Sequence, residues 1–261
     1  DAIYSDSRYA GAAHAAVGVA VGAGAGATLG STAASVYLAV AGRALRAAGH
    51  AVGAALDGGD LPEARRLLPA LVGRDPRALD EAGVARAVVE SLAENTVDAV
   101  VAPCLWALAA GAPGALGYRA VNTLDAMVGH RNDRFRNYGW ASARLDDLAN
   151  WVPARLTAAL VVLVRPGRAR EIWRAVRDDA PAHPSPNSGV AEAAWAAALG
   201  LQLGGTNRYG TRTEVRPMLG AGARPAAADI QRAAALSRDV TVALGLLAGA
   251  AGVVGAVGRW W

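Results

Sequence analysis

The chain has 261 residues, 53% of them hydrophobic and 18% charged, against roughly a quarter charged in ordinary soluble domains; the length suits one sizeable core or one multi-span bundle, and the balance leans toward a membrane. Its net charge of +4 comes from 26 arginines and no lysine, which excludes a Walker lysine, a Schiff-base lysine and a lysyl-adenylate and leaves any anion to arginine. The arginines alternate with 22 acids and aromatics make up 5% of the chain, so there is no stacking platform for nucleic acid.

Between Arg8 and Arg43 lie 34 consecutive uncharged residues, more than one crossing of a ~30 Å hydrocarbon layer needs at about 1.5 Å per residue. Two readings stand. Either one long helix projects from the bilayer, or the glycine-rich GVAVGAGAGATLG breaks the run into two. Its length and the lack of an Arg-rich flank speak against a cleaved signal peptide. Asp60-Leu61-Pro62-Glu63 reads as an N-cap with an acid at N3, opening an amphipathic helix to about Val72 with Leu61, Ala64, Leu68 and Leu71 on one face; Gly73-Arg74-Asp75-Pro76 ends it. A second polar helix, Leu79 to about Val97, puts Val84, Val88 and Leu92 on one stripe and Arg86, Glu90, Glu94 and Asp98 on another.

A further apolar run, Val97 to Gly117, contains Asp98, Pro103, Pro113 and the only cysteine, Cys104; disulfides and cysteine zinc sites are excluded, and Cys104 reads as a small buried hydrophobe. Trp151 to Val164 is a shorter run carrying Arg155. Ser188 to Gly205 is weaker, and its Glu192 and small residues fit a bundle-facing or re-entrant helix. Val240 to Gly258 is the cleanest span, bounded by Asp239 and by Arg259-Trp260-Trp261, which resembles an interfacial anchor. Every substantial polar loop is Arg-rich, with five arginines from Arg165 to Arg177 and six from Arg208 to Arg238, so charge asymmetry guides orientation poorly; the expectation is that those loops share the cytoplasmic side. No strand-like alternation is visible. The expectation is an all-α, polytopic integral membrane helical bundle, a single domain over 1–261, with spans near 9–41, 97–117, 151–164, 188–205 and 240–258 and polar helices and loops between them.

Polar groups crowded beside membrane-grade apolar runs are expensive unless they pair or bind something. The stripe Arg86, Glu90, Glu94, Asp98 has two readings: an i,i+4 salt-bridged face worth about 0.2–0.5 kcal/mol per pair, or carboxylates waiting for a divalent cation such as Mg²⁺ with substrate phosphates. Arg119, Asn122 and Asp125 lead into Gly129-His130-Arg131-Asn132-Asp133-Arg134-Phe135-Arg136, where guanidinium forks suit phosphate or carboxylate; a basic juxtamembrane loop held by anionic lipid explains the same residues. In Arg144-Leu145-Asp146-Asp147, followed by Asn150, adjacent carboxylates point apart on a helix, so only one shares a given site with Arg144 or Asn150. His183-Pro184-Ser185-Pro186-Asn187-Ser188-Gly189 is a turn that opens a helix, offering either an anion site or ordinary capping.

Four segments in this order, ESLAENTVDAVVAP, YRAVNTLDAMVGHRNDRFRNYGWASARLDDLANWVPARL, HPSPNSG and LGLQLGG, resemble the adenosylcobinamide-phosphate synthase family of cobalamin biosynthesis, the CobD/CbiB membrane proteins; the likeness runs from Tyr4 onward. Family members begin with another hydrophobic segment and a GDP…HP motif before the Tyr-x-Asp-Ser-Arg that stands here as Tyr4 to Arg8, so the chain is expected to be N-terminally truncated. The resemblance implies a multi-pass enzyme of the inner cell membrane, in contact with lipid and with other enzymes of the pathway. It would join adenosylcobyric acid to aminopropanol phosphate, or a related phosphorylated amino alcohol, through an amide bond with ATP and Mg²⁺. On this reading Glu90, Glu94 and Asp98 hold Mg²⁺, one of them doubling as base. Arg119, Arg131 and Arg134 hold phosphates, Asn95, Asn122 and the catalytic candidate Asp125 orient ligands, and Ser185, Asn187 and Ser188 cradle the amino alcohol's phosphate. Arg144, Asp146, Asp147 and His183 complete the substrate-binding set. The competing class is a membrane anion carrier or non-catalytic assembly subunit with charges lining a path; a soluble helical enzyme is the third.

Overall fold

The computed structural model describes residues 6–129, 134–209 and 212–257. In chain order the elements are α1 (Arg8–Leu29), α2 (Thr32–Ala39), α3 (Gly42–Asp57), α4 (Leu61–Leu67), α5 (Glu81–Thr96), a π-turn (Val97–Val101), α6 (Ala102–Val128), α7 (Trp140–Ala149), α8 (Trp151–Val164), α9 (Ala169–Asp178) and α10 (Ser188–Leu199). A two-stranded hairpin, β1 (Leu203–Tyr209) with β2 (Arg212–Leu219), and α11 (Ala227–Val257) complete the chain. Two compact units divide it: Asp1–Ala41 with Val97–Ala154, and Gly42–Thr96 with Arg155–Trp261.

The first unit is built on α1, α2 and α7 packed against α6. Ser7 caps α1 by accepting from the Ala10 N–H at 3.2 Å, and Gly30, at φ +65°, ends it in a left-handed C-cap. Ser31 then caps α2, so the 34-residue run is two helices, broken at the last glycine of its Gly-rich stretch. Gly18, Gly22 and Gly26 repeat every four residues on the face of α1 that meets α6. A Cβ at Gly22 would lie 2.7 Å from the Leu116 carbonyl oxygen, and one at Gly26 2.3 Å from that of Ala112. This is the small-residue packing by which helices approach closely when lipid supplies no hydrophobic drive. At Gly111, where φ is +63° and ψ −147°, α6 is kinked, in a region of backbone space that is essentially glycine-only.

In the second unit α3 packs on α4, α5 and α11, and α10 packs on α5 and α9. Asp60 accepts the Glu63 N–H at 2.9 Å, as its cap position requires. The buried side chains include Leu68, Val84, Leu92, Trp195, Ile230 and Leu236. Trp195 lies at the centre of α10, and its Nε1–H donates to the Ala233 carbonyl at 3.4 Å.

Among the described residues, four stretches are long and apolar enough to cross a membrane by length and composition: Arg8–Leu29, Glu81–Val128, Trp140–Val164 and Ala227–Ala251. The chain is therefore an all-α, multi-pass helical bundle with one antiparallel hairpin appended. The expected span near 188–205 is corrected. Its helix, α10, has 12 residues, about 18 Å at 1.5 Å per residue. Every one of them is buried, and the chain leaves it through Gly200 at φ +70° into β1. The apolar composition of this segment serves the interior of its unit. The hairpin escapes sequence reading because its strands do not alternate: Leu203 and Leu219 are buried, Val215 and Met218 are exposed, and a register shift falls between Leu203 and Gly205. The proposed anchor Arg259-Trp260-Trp261 lies outside the described residues.

Candidate functional site

The sequence-predicted residues gather into two polar clusters, one inside each unit. The stripe on α5 ends at Thr96, where the chain passes between units; Asp98 lies in the π-turn, whose wider pitch breaks the four-residue register.

In the second unit Glu90 is 3% and Arg74 7% exposed, and the Arg74 guanidinium pairs with Glu90 Oε2. The Gly204 N–H donates to Glu90 Oε1 at 2.9 Å, and Arg74 donates to Asn207 Oδ1 at 2.8 Å. Arg86 reaches the same strand, donating to the Gly204 carbonyl and, at 3.0 Å each, to the Thr206 carbonyl and Asn207 Oδ1. Gly204 sits at φ +87°, and a Cβ there would be 2.0 Å from the Pro217 carbonyl oxygen. That is why the segment LGLQLGG carries glycine where the strand is clamped against α5.

One turn further along α5, Glu94 Oε1 accepts from the Ser188 hydroxyl at 2.7 Å. Ser188 opens α10, and the turn before it is knit by Ser185 Oγ, which accepts the Asn187 N–H at 3.3 Å and the Ser188 N–H at 3.1 Å. These two N–H groups are therefore occupied in capping, and what the turn offers a ligand is side chains. Asn187 Oδ1 accepts from Arg155 at 3.0 Å. Asn95 donates to the carbonyl and hydroxyl oxygens of Ser91 at 2.9 and 3.1 Å, turning back on its own helix.

A cavity of about 130 Å³ lies among Gly73, Arg74, Glu90, Ser91, Glu94, Glu192 and Arg216, with Leu71 and Val72 on its rim. Glu192, from the middle of α10, is 1% exposed. Its Oε1 is 3.8 Å from His183 Nε2 and 3.9 Å from the Arg216 guanidinium, and its Oε2 is buried without a hydrogen-bond partner. Burial, with the Glu90 and Glu94 carboxylates nearby, pushes the Glu192 carboxyl well above the usual carboxylate range. Burial likewise lowers His183 below the ordinary histidine value, so its ring is neutral near pH 7. That ring exchanges contacts with the Ser185 backbone through Nδ1 and meets Arg216 at 3.1 Å through Nε2. A guanidinium only donates, so in this contact Nε2 is the acceptor; with the ring proton then on Nδ1, the ring donates to the Ser185 carbonyl and does not accept the Ser185 N–H.

In the first unit Asn122 ties the cluster together. Its Nδ2 donates to Asp98 Oδ2 at 3.2 Å and to Asp146 Oδ1 at 3.3 Å, and its Oδ1 accepts from Arg119 at 3.4 Å. Asp146 Oδ2 accepts from Asn150 at 3.0 Å, and Asn150 Oδ1 from the Tyr118 hydroxyl at 2.8 Å. The adjacent Asp147 points away, pairing with Arg144 at 3.1 Å; the two neighbouring carboxylates thus divide between Asn150 and Arg144. Asp125 lies one turn beyond Asn122 on α6, and the Arg134 guanidinium sits 5.2 Å from the Phe135 ring centroid. Arg131 lies outside the described residues.

Glu90, Glu94 and Asp98 are each engaged by other protein groups. Both Glu90 oxygens are engaged by protein donors, Glu94 is with Ser188 and Asp98 with Asn122 in the other unit; among the described residues no three His, Cys, Asp or Glu side chains group as a metal would require. Sequence reasoning passed over Arg74, Asn207 and Arg216, and did not place Glu192 in a site. The first three come together only through the fold, Arg74 and Asn207 being 133 residues apart. Glu192 did leave a signal: it is the one charge in the twelve-residue helix SGVAEAAWAAAL, where an unpaired acid is costly.

The CobD/Cbib protein family matches residues 5–237. The cobalamin biosynthesis protein CobD of Mycobacterium tuberculosis is 48% identical over 258 residues, covering 94% of this chain and 82% of that protein. The protein of the same name from Chromobacterium violaceum is 48% identical over 225 residues, 86% and 72% of the two chains; that from Rhodobacter capsulatus is 50% identical over 203 residues, 76% and 64%. No solved structure matches. The glycine clamp, the capped turn before α10 and the acidic stripe of α5 all fall within the matched span, and the chain belongs to the CobD/Cbib family of cobalamin biosynthesis.

Proposed function

We propose that the chain is an amide-forming ligase of the inner cell membrane, joining adenosylcobyric acid to aminopropanol phosphate or a related phosphorylated amino alcohol with hydrolysis of ATP. The observation that carries this reading is the cavity of the second unit, where three carboxylates and two guanidiniums line a small space, with the His183 imidazole beside Glu192. A carboxylate does not condense with an ammonium at neutral pH. One partner must be activated by transfer from ATP, and the other must lose a proton before its nitrogen attacks and the activating group leaves with its phosphate. Carboxylates that accept protons and arginines that hold phosphates are the groups this requires. Ser185, Asn187 and Ser188, with Arg155 beside Asn187, would hold the phosphate of the amino alcohol through their side chains. Arg119, Arg131 and Arg134 would hold phosphates, with Asn122 and Asp125 orienting ligands. Among the described residues no three His, Cys, Asp or Glu side chains group as a protein-built cage would need, so the ion enters the proposal with the nucleotide phosphates, a mode that asks for only one or two carboxylates.

The test is amide formation by the detergent-solubilised chain, followed by mass spectrometry with both substrates, ATP and Mg²⁺. ATP-dependent product is expected, and Glu94→Gln should lower its rate by about 10²-fold or more. No product, together with substrate uptake into sealed vesicles, would favour the carrier reading instead.

A further inference from the structure

The cavity beside α10 has a chemical polarity of its own. Arg74 and Glu90 neutralise one another in a buried pair. Arg216 is held by Glu214 at 3.2 Å and by His183 Nε2. Beside these paired groups the space is lined by Glu94, one of whose oxygens is met by Ser188, and Glu192, whose Oε2 is buried and has no partner. A buried polar atom without a partner is costly, and two carboxyls in the wall of one cavity are completed by a donor-only cation. A primary ammonium has three N–H donors and no acceptor, and about 130 Å³ holds that head group with a few carbons.

We infer that this cavity is the ammonium pocket of the chain, in which Glu94 and Glu192 receive the –NH₃⁺ of a primary amine and Glu192 is the group that takes its proton. The inference rests on the ligase reading for the amine's identity, but the pocket itself is argued from the cavity. The groups facing Glu192 are Glu90 and Glu94 from α5, Arg74 from the loop before it, Arg216 from β2 and His183 from the turn before α10. Its surroundings push the carboxyl well above the usual carboxylate range, which favours its protonated form in the empty cavity. An arriving ammonium ionises it and releases one proton to solvent; in the reacting complex, the ionised carboxylate accepts one proton from R–NH₃⁺ and leaves the neutral R–NH₂ whose lone pair forms the amide bond.

The experiment needs neither ATP nor corrinoid. Titration calorimetry of the solubilised full chain compares aminopropanol phosphate with n-propyl phosphate, which keeps the anion and lacks the amine, in two buffers of different ionisation enthalpy. The wild type is expected to bind the amine at least about tenfold more tightly, roughly 1.4 kcal/mol, and to release close to one proton as it does so. Glu192→Gln should bring the two ligands within about threefold and abolish the release, whereas the surface variant Glu63→Gln should change neither. If Glu192→Gln does not fold, Glu94→Gln reads the same gap, which should shrink. An amine preference that survives in these variants, or a wild type that shows none, overturns the pocket. Because ligation is scored separately, a chain that shows the preference but makes no amide retains the pocket and loses the ligase reading, and the reverse result sinks the pocket alone.

Discussion

The Arg74–Glu90 pair carries the heaviest constraint on any single residue here. Both side chains are almost wholly withdrawn from water, so removing one leaves the other charged and unpaired, a change that costs about 3–5 kcal/mol at buried pairs. Arg74→Met should therefore lower the thermal unfolding midpoint of the solubilised chain sharply. Arg74→Met combined with Glu90→Leu should recover part of that loss but not all, because the Gly204 N–H that Glu90 accepts then has no acceptor; a double variant as unstable as the single one would refute the argument. Glu192 acts through protons. Its folded carboxyl keeps a proton that the unfolded chain gives up near the ordinary value of 4.5. Between that value and its raised folded pKa the folded state binds more protons, and stability falls as pH rises. His183 runs the other way: lowered in the fold from 6.5, it costs stability as pH drops below that value, since the unfolded chain then takes up the proton. The comparison of Glu192→Gln with wild type isolates the first effect. As pH rises above the ordinary carboxylate value the variant's midpoint should decline less steeply, and parallel curves would remove Glu192 from the pH response.

Among the helices, the face of α1 with Gly18, Gly22 and Gly26 fixes how near α6 can come. A valine at Gly22 would drive its side chain into the Leu116 carbonyl and the Ala120 methyl. Gly24, on the same helix, has nothing within 4 Å of a Cβ and supplies the control. Gly22→Val should destabilise by about 1–3 kcal/mol, the usual range for overpacking, while Gly24→Val should be near neutral, both read as thermal midpoints in detergent. Equal effects would mean that glycine is needed here for something other than close approach. The same elements show what the sequence makes legible. Asp60 announces a helix start because a capping side chain acts within three residues of itself, and of the two readings the Gly-rich run allows, Gly30 decides for the broken one by closing α1. The turn from His183 to Gly189 was likewise readable as the opening of a helix. The hairpin was hidden because its register shift and exposed Val215 erase the period of two, and α10 passed for a span because an interior helix and a lipid-facing one share a composition. Arg74 looked like part of a helix stop, since its partners Glu90 and Asn207 are brought to it only by tertiary folding.

At the scale of the chain, the descent from α8 to α11 sets the topology of the second unit. Between Val164 and Ala227 lie α9, α10 and the hairpin, and none of these described elements is long enough to cross a bilayer. The end of α8 and the start of α11 must then open on the same side. Arg165, directly after α8, donates to Asp239 at 2.8 Å, and Asp239 directly precedes the uncharged stretch that begins at Val240. The pair thus sits where both apolar runs meet the polar part of the unit, about 18 Å along α11 from its first residue at 1.5 Å per residue, so the first three turns of α11, with Arg232 and Arg238, stand clear of the hydrocarbon. Arginine on both flanks of this segment predicts the cytoplasmic side. With the single cysteine removed as Cys104→Ser, the variants Arg170→Cys on α9 and Arg224→Cys before α11 should resist a membrane-impermeant maleimide in intact spheroplasts and react once the membrane is opened. Labelling of both from outside would invert the orientation and leave the shared side standing. Labelling of one alone would require a crossing between Arg170 and Arg224, which twelve buried residues of α10 and a two-stranded hairpin do not provide.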